Sequence, residues 1–417
     1  MKIVGVVVGL LAVGSASAAP STISPRNTPF TWGSTKIRGV NLGGWLVLEP
    51  WITPTIFTHP SAVGIVDEFT LGASYGIAAL PDLRHHWSTF VTKSDFQAIA
   101  AVGLNTVRIP IGFWAFDTFN TPYLSGQAPY LEKAVRWARE TGLKVIIDLH
   151  GAPGSQNGFD NSGQQRDTPG WGTGATVQQT LQVLHKIQSK YAALEYQDVV
   201  IGIEILNEPM GPVVDKTILR QFYRDGFAQT RSVSPSTTVV LSDAFFRPRE
   251  WNGFLTPQDS GAQNVALDHH EYQIFDMGQI TWSHAQHISG VCDGAEAYSG
   301  ADKWTFVGEW TGAMTDCAHW VNGVGRGARY DGTYLTTTAI GSCGHASSEI
   351  SSWSPELRDV TRRYIEAQIA VFEAKTQGWV FWTWKTERSP EWDMQRLVTA
   401  GLFPTHLAEV GGRGLIC

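Results

Sequence analysis

Eight short apolar runs that contain β-branched residues recur along this chain, and most are followed by a polar turn and an amphipathic stretch. Most of these runs are nearly continuous, which is typical of parallel strands that are buried on both faces. The runs are Gly39–Leu42, Thr106–Pro110, Lys144–His150, Val199–Leu206, Thr237–Asp243, Val265–Tyr272, Thr305–Trp310 and Gly378–Trp384. Eight buried strands that alternate with helices predict an α/β fold, the (β/α)8 TIM barrel.

The stretches between the runs show helical patterns. The predicted helices are Ser94–Val102, Leu131–Glu140, Thr176–Tyr191, Thr217–Thr230 and Pro355–Lys375. An open doubly wound sheet is the alternative, but no G-x-G-x-x-G turn follows the first run, which disfavours it. We therefore predict a single domain with long loops at the C-terminal face, chiefly Gly44–Gln97 and Thr311–Ser352.

The composition excludes several classes of protein. Of the 417 residues, 43% are apolar and 17% are charged, which fits neither a polytopic membrane protein nor a disordered chain. The net charge of −7 argues against nucleic acid or an anionic membrane as a partner. The 17 Trp and 43 Gly fit a site where sugars stack on aromatic faces, although a large aromatic core would account for most of the Trp residues.

The N-terminus has the pattern of a secretory signal peptide. Lys2 is followed by the apolar run Ile3–Val13 and the small-residue site Ala16-Ser17-Ala18. This run is shorter than the ~20 residues that span a bilayer, so it does not predict a membrane anchor. We expect residues 1–18 to be removed, residues 19–417 to form the catalytic domain, and the protein to be extracellular or associated with the cell wall.

All four cysteines lie in the last third of the chain, and none forms a C-x-x-C motif. An oxidising compartment favours disulfides, with three pairings open. We favour Cys317–Cys343, which would close a Gly-rich loop, and Cys292–Cys417, which would tie down the C-terminus.

A barrel places functional residues at the C-terminal ends of its strands. Those ends carry Arg108, Asp148, His150, Asn207, Glu208, His269, His270, Tyr272, Glu309, Trp382 and Trp384. Hydrolysis of a glycosidic bond needs one carboxylic acid to protonate the leaving oxygen and a second carboxylate to attack or to activate water. Glu208 and Glu309 are the natural pair. Arg108 is expected to keep Glu309 ionised, while Glu208 stays protonated.

Each of these residues also has a structural explanation. A Glu after a strand can cap the next helix, and His150 and His270 can be core histidines. No HExxH spacing supports a metal site, and no G-x-S-x-G motif supports a serine hydrolase.

Several motifs occur in order from about Ile37 to the C-terminus. They are Arg38-Gly39-Val40-Asn41-Leu42-Gly43-Gly44-Trp45, Glu49-Pro50-Trp51, Thr106-Val107-Arg108-Ile109-Pro110, Asp148-Leu149-His150, Asn207-Glu208-Pro209, His270-Glu271-Tyr272, Gly308-Glu309-Trp310 and Phe381-Trp382-Thr383-Trp384. With this ordered set the chain resembles the fungal exo-β-1,3-glucanases of glycoside hydrolase family 5.

The resemblance implies a role for each matching residue. It implies that Glu208 is the acid/base and Glu309 the nucleophile. It also implies that Arg108 and Tyr272 hydrogen-bond the nucleophile and that Asn207 holds the sugar 2-hydroxyl. His150, His270 and Trp382 would line the glucose pocket, and Glu49 and Asp160 would bind the outer hydroxyls of that glucose. Phe159 and Phe275 would clamp the glucan chain at the pocket entrance, and Asn322, Arg326 and Arg329 would form a polar rim.

The implied activity is retaining hydrolysis that releases glucose from the non-reducing ends of β-1,3-glucan. We expect no cofactor and no metal, because two carboxylates and water suffice, and we expect a monomer. Endo-acting or β-1,6-linked glucanase activity on the same scaffold is the first alternative, because loops decide it. A catalytically silent glucan-binding protein is the second, and the presence of both glutamates argues against it.

Overall fold

The computed structural model describes residue 1 and residues 29–58, 63–335, 338–346, 348–405 and 407. Its eight parallel strands close into one barrel in which each strand pairs with the next and the last pairs with the first. The strands are β1 (Ile37–Asn41), β2 (Thr106–Gly112), β3 (Lys144–Gly151), β4 (Val200–Glu204), β5 (Thr238–Ser242), β6 (Val265–His270), β7 (Trp304–Glu309) and β8 (Gly378–Phe381). Every strand overlaps a predicted run, so the predicted (β/α)8 barrel is confirmed.

The helices surround the barrel and also build its longer loops. They are α1 (Pro54–Phe57), α2 (Glu68–Tyr75), α3 (Leu80–Thr89), α4 (Lys93–Ala101), α5 (Ala128–Thr141), α6 (Thr176–Tyr191), α7 (Lys216–Val233), α8 (His284–Gly294), α9 (Pro355–Lys375) and α10 (Met394–Thr399). The predicted helices did not include α8, α10 or the three helices before α4. Between β5 and β6 the structure has a short 3₁₀ turn, Pro248–Trp251, in place of an α-helix.

The tryptophans are mainly core residues. Twelve of the 17 are buried: Trp45, Trp51, Trp87, Trp114, Trp171, Trp251, Trp310, Trp353, Trp379, Trp382, Trp384 and Trp392. Aromatic side chains of this size bury about 150–250 Å² each, so they contribute strongly to the barrel's packing. The structural explanation offered for most of the Trp residues therefore holds.

Of the covalent and terminal predictions, the structure tests only the disulfide Cys317–Cys343. Cys317 and Cys343 form the predicted disulfide, with 5.1 Å between their Cα atoms. Cys292 is also disulfide-bonded, whereas its predicted partner Cys417 lies outside the described residues, as do residues 2–18 of the predicted signal peptide. None of the described helices has the length and apolar character needed to cross a bilayer.

Candidate active site

A cavity of about 260 Å³ lies at the C-terminal ends of the strands. Most of the predicted site residues line it: Glu49, Phe159, Asp160, Glu208, Tyr272, Phe275, Glu309, Asn322, Arg326, Arg329 and Trp382. The other four lie behind this lining. Arg108 and His270 form hydrogen bonds with Glu309 and Glu208. His150 stacks on Trp382, and Asn207 accepts a hydrogen bond from Arg108. The structure thus brings all the predicted site residues into one region.

The two predicted catalytic glutamates face each other across His270. One oxygen of Glu208, one of Glu309 and a nitrogen of His270 all lie within 4.8 Å of one another. The His270 Nδ1 atom is 2.7 Å from Glu208 Oε1 and 3.4 Å from Glu309 Oε2. Two carboxyl groups about 5–5.5 Å apart are typical of retaining glycosidases, and inverting enzymes need about 6.5–9.5 Å.

The backbone of Glu208 is unusual in a way that fits a functional site. Its φ of 43° lies in the left-handed region, where a residue other than glycine costs roughly 1–3 kcal/mol. Its carboxylate is held on the second oxygen by the amides of Asn157 and Asn161, at 3.4 and 3.2 Å. These two asparagines were not predicted as site residues.

Arg108 is a completely buried cation beneath the pocket. It donates hydrogen bonds to Glu309 Oε1 at 3.0 Å and to Glu204 Oε2 at 2.8 Å. It also contacts the carboxylates of Asp148 at 3.2 Å and Asp268 at 3.4 Å. The planar guanidinium can serve several acceptors at once, so Arg108 holds Glu309 in one position.

Two other groups complete the support of Glu309. The Tyr272 hydroxyl donates to Glu309 Oε2 at 3.0 Å. Asn41 Oδ1 accepts from Arg108 at 3.0 Å, while its amide donates to the backbone carbonyl of Gly308 at 2.8 Å. Gly308 has to be small, because a Cβ there would lie 2.0 Å from an Asp268 carboxylate oxygen. Glu309 Oε1 is therefore positioned by Arg108 on β2 and Oε2 by Tyr272 after β6, while Asn41 on β1 holds Arg108 and the backbone of Gly308.

The charge distribution differs from the expected one. Burial raises the pKa of Glu309, and the charges of His270 and Arg108 only partly offset this rise. Burial also raises the pKa of Glu208, but the hydrogen bond and charge of His270 outweigh it and leave the pKa below its ordinary value. The expectation that Arg108 keeps Glu309 ionised left out His270, which lowers the pKa of both carboxyl groups.

The acidic groups around His270 shift its pKa upward. Burial lowers its pKa, but the charges of Glu309 and Asp268 and the hydrogen bonds to Asp268 and Glu208 raise the pKa well above the ordinary value for histidine. Because the groups are close together, the proton belongs to the set of three rather than to one residue.

The base of the pocket carries polar groups whose hydrogen-bonding capacity is not used by other described residues. These buried atoms are Glu49 Oε1, His150 Nε2, Asp160 Oδ2 and Asn207 Nδ2. Burial, together with the neighbouring charge of Asp67, raises the pKa of Asp160 to about 7. Buried polar groups normally have partners, so these four atoms favour a ligand rich in hydroxyl groups.

Trp382 and His150 form a flat surface beside these groups. Their rings stack 5.4 Å apart at an angle of 13°, and His150 Nδ1 is 2.6 Å from Asp148 Oδ2. The Trp382 ring also covers Gly43, where a Cβ would come within 2.7 Å of it. A stacked, rigid Trp next to unused polar atoms is suited to a pyranose ring.

Aromatic residues stand at the pocket entrance. Phe159 and Phe275 are 44% and 40% exposed, although both are large apolar side chains. Phe245, also 44% exposed, packs edge-on against Phe159 with 6.4 Å between ring centroids. The sequence analysis missed Phe245, because it follows β5 and no motif there suggested a role.

The loop after β7 forms one wall of the pocket. Its organising residue is Asp316, which is completely buried and accepts hydrogen bonds from the backbone N–H groups of Arg329 at 2.7 Å and Tyr330 at 3.0 Å. The amide of Asn322 donates to the same carboxylate at 2.9 Å. Arg326 lies against the side-chain amide of Gln165. The predicted polar rim is thus largely occupied in holding the wall together.

Glu204 and Asp268 were also missed, although the sequence contained a signal for them. Glu204 is the single charged residue of β4, Asp268 follows three apolar residues in β6, and Arg108 is the single charged residue of β2. Burial raises the pKa of Glu204, which Arg108 opposes and Asp268 and Asp148 reinforce. Opposite charges inside neighbouring buried strands indicate that the strands bring them into contact.

Two sets of groups in the described residues could in principle approach a metal ion. Glu208, His270 and Glu309 form one set, and Glu204, Asp268 and His270 form the other, each with ligand atoms within 4.8 Å. Arg108 already contacts members of both sets, so a divalent ion there would lie beside a fixed positive charge. The donor set therefore fits a reaction without a metal.

The chain is similar to known proteins in sequence. The family model described as Cellulase (glycosyl hydrolase family 5) matches residues 71–388. The chain is 45% identical over 391 residues to a glucan 1,3-beta-glucosidase of Blumeria graminis, covering 92% of this chain and 90% of that protein. It is 48% identical over 379 residues to a probable glucan 1,3-beta-glucosidase A of Emericella nidulans, covering 90% and 91%.

A search of solved structures finds the same fold. The crystal structure of rutinosidase from Aspergillus niger matches with a TM-score of 0.72 at 22% identity, covering 90% of this chain and all of that one. At this level of identity the match concerns the barrel alone.

Proposed function

The chain belongs to glycosyl hydrolase family 5, and from this premise we propose that it is a secreted, monomeric exo-β-1,3-glucanase. It removes glucose from the non-reducing ends of β-1,3-glucan with retention of configuration. One observation carries the proposal: Glu208 and Glu309 bring oxygens within 4.8 Å of each other in a pocket with unused buried polar atoms.

In the first step Glu309 attacks the anomeric carbon while Glu208 protonates the leaving oxygen. This gives a covalent glucosyl-enzyme and a shortened glucan. Arg108 and Tyr272 hold the Glu309 oxygens through hydrogen bonds of 3.0 Å each, which orients the nucleophile.

The proton for this step comes from the hydrogen-bonded set formed by Glu208, His270 and Glu309. His270 lies 2.7 Å from Glu208, so its proton can move to Glu208 as negative charge develops on the leaving oxygen. In the second step Glu208 takes a proton from water, the hydroxide oxygen bonds to the anomeric carbon, and Glu309 leaves as a carboxylate. β-Glucose is the product.

Exo action is supported by the walls of the pocket. The loop organised by Asp316 closes one side, and Trp382, stacked on His150, closes the base. A chain end fits such a pocket, whereas the interior of a chain needs an open cleft. Secretion is supported by the signal-like N-terminus and by the Cys317–Cys343 disulfide.

Product analysis tests the proposal directly. With laminarin, glucose alone should appear from the earliest times, and NMR should detect the β anomer first. A ladder of oligosaccharides would contradict exo action, and α-glucose first would contradict retention.

Variants test the two carboxylate roles. Glu309→Gln should lose nearly all turnover. Glu208→Ala should retain more activity on an activated aryl glucoside, which needs little protonation, and added azide should yield the β-glucosyl azide. The matched control is Glu68→Gln: Glu68 is another buried glutamate, outside the pocket lining, and its pKa is raised by burial. Equal losses in all three variants would show a folding defect instead of a catalytic role.

A further inference from the structure

A buried carboxylate just outside the pocket, that of Asp67, has no part in the proposed mechanism. Asp67 precedes helix α2 and is only 1% exposed. It does not border the cavity that Glu208 and Glu309 line. A buried carboxylate is costly unless other groups hydrogen-bond to it, so its partners show what it does.

One oxygen of Asp67 caps α2. Oδ1 accepts from the Thr70 backbone N–H at 2.7 Å and from the Thr70 hydroxyl at 2.7 Å, and the Asp67 backbone N–H donates to that hydroxyl at 3.1 Å. This capping box satisfies N–H groups that a helix N-terminus leaves without partners. Ser, Thr and Asn are equally suited to this position, so the cap alone does not require a carboxylate.

The other oxygen reaches the loop after β3. Oδ2 accepts from the backbone N–H of Gln165 at 2.6 Å, across 98 positions of sequence. Beside it, the backbone N–H of Phe69 donates to the carbonyl of Gly163 at 3.0 Å. The Phe69 ring also packs edge-on against Tyr123, with 5.5 Å between ring centroids. The first turn of α2 is therefore a fixed anchor for residues 163–165.

The anchored residues directly follow the 3₁₀ turn Asp160–Ser162, which forms part of the pocket. The backbone N–H of Gly163 closes this turn by donating to the carbonyl of Asp160 at 2.8 Å. Gly163 has a φ of 86°, and a Cβ there would lie 2.4 Å from the Trp114 ring. Asp160 and the preceding Phe159 both line the cavity. The position of the Asp160 backbone is thus set from α2.

The charge of Asp67 acts on the same residue. Burial contributes most to the rise in the pKa of Asp160 to about 7, the charge of Asp67 contributes next, and the Arg326 guanidinium opposes the rise. Asp160 Oδ2 is buried without a partner among the described residues. A carboxyl group that keeps its proton can donate to a sugar hydroxyl as well as accept from one.

We propose that Asp67 is a positioning residue for sugar binding: it ties the turn that carries Asp160 to α2 and so aims the Asp160 carboxyl at a hydroxyl of the terminal glucosyl unit. Asp67 itself does not touch the sugar. This inference rests on the proposed function, because it assumes that the pocket receives that glucosyl unit.

The test is the binding of D-glucose, measured as competitive inhibition of aryl β-glucoside hydrolysis. In Asp67→Asn the amide nitrogen cannot accept, so the side chain keeps either the cap or the contact to Gln165. The inhibition constant for glucose and KM for the aryl glucoside should rise roughly three- to tenfold, the effect of about one misplaced hydrogen bond. The value of kcat should change less than KM, because Glu208 and Glu309 are untouched.

A double-variant cycle separates positioning from simple stabilisation. If Asp67 acts through Asp160, Asp67→Asn should raise the inhibition constant less than twofold in an Asp160→Asn background. Asp215→Asn is the matched control: Asp215 caps α7 by accepting from the N–H groups of Thr217 and Ile218 at 2.7 and 3.2 Å, and it does not line the cavity. This control should leave glucose binding unchanged.

Asp67→Ser keeps a capping residue and removes the reach to Gln165, so it replaces Asp67→Asn if that variant does not fold. A lowered thermal midpoint with unchanged glucose binding would overturn the proposal, as would equal effects of Asp67→Asn with and without Asp160→Asn. A wild-type enzyme that releases no glucose from laminari-oligosaccharides would instead contradict the proposed function.

Discussion

Two buried charges organise this site, and they do so differently. Arg108 is completely buried on β2 and contacts carboxylates from β3, β4, β6 and β7. Asp316 is equally buried in the loop after β7, but it collects backbone N–H groups and the side chains of its own loop. One charge links strands, and the other folds a single loop.

The difference teaches which part of the site is intrinsic to the barrel. Removing Arg108 would leave several buried carboxylates without a cation, and an uncompensated buried charge is costly. Removing the charge of Asp316 would release hydrogen bonds within one loop, whose groups can then reach water. We therefore expect changes at Arg108 to affect fold and catalysis together, and changes at Asp316 to affect mainly the pocket wall.

The largest effect is expected for Arg108→Lys. Lysine keeps the charge but cannot make the forked contacts to Glu309 and Glu204 at once. Stability should fall by about 3–5 kcal/mol in urea unfolding, and hydrolysis of an aryl glucoside should be nearly lost. Arg38→Lys is the control: Arg38 makes a half-buried pair with Glu373 at 2.7 Å, and its loss should cost about 1 kcal/mol or less. Equal midpoints for Arg108→Lys and the wild type would contradict the central role of Arg108.

The next effect concerns the disulfide of the wall loop. Cys317 and Cys343 are 26 residues apart, and closing a loop of this size stabilises by roughly 3 kcal/mol in the chain-entropy model. The double variant Cys317→Ser/Cys343→Ser should lower the thermal midpoint and raise KM, because Cys317 adjoins Asp316. An unchanged KM with a lowered midpoint would show that the disulfide stabilises the fold without shaping the pocket.

A smaller effect is expected for Asp316→Asn. The amide can accept only at its oxygen, so at least one donor of the wall loses its partner, at a cost of about 1–3 kcal/mol. KM for laminarin should rise more than kcat falls, since Glu208 and Glu309 are untouched. Asp331→Asn is the control, because Asp331 accepts from the Thr333 backbone N–H within one turn. If kcat fell as much as in Arg108→Lys, the loop around Asp316 would matter for catalysis as much as the barrel interior around Arg108, which would contradict the comparison.

The smallest effect is a change in the pH profile of kcat/KM for His270→Gln. As pH falls through the raised pKa of Glu309, this proposed nucleophile should be protonated and activity should be lost. As pH rises through the raised pKa of His270, the Glu208–His270 pair loses the proton that Glu208 would donate to the leaving oxygen, and activity should fall. Without the imidazolium the pKa of Glu309 rises, which moves the acidic limb of the profile to higher pH. The group that supplies the proton to Glu208 is also lost, which moves the basic limb to lower pH. The pH range of activity should therefore become narrower. A profile that only shifts would show that His270 does not serve both carboxylates.

The residues in the interior of the site were largely predictable, because each buried strand is visible in the sequence as a short apolar run. Arg108, Asn207 and Glu309 lie in or beside apolar runs, and the carboxyl ends of parallel strands meet at one face. Glu204 and Asp268 were within reach of the same reasoning. The charge pattern of Glu208 and Glu309 was not, since it depends on His270, whose contacts come from three different strands.

The sequence by itself determined the eight strands and the two glutamates at strand ends, because burial patterns and strand ends are properties of short segments, whereas the pairing Cys317–Cys343 was one of three that the sequence left open. Only the tertiary structure decided that Asp316 accepts hydrogen bonds from the rim residues Asn322 and Arg329 and that Phe245 packs against Phe159 at the pocket entrance. It also decided that a second cavity opens at Glu208. These features arise where loops and helix α8 meet residues far away in the chain, and no local pattern encodes such contacts.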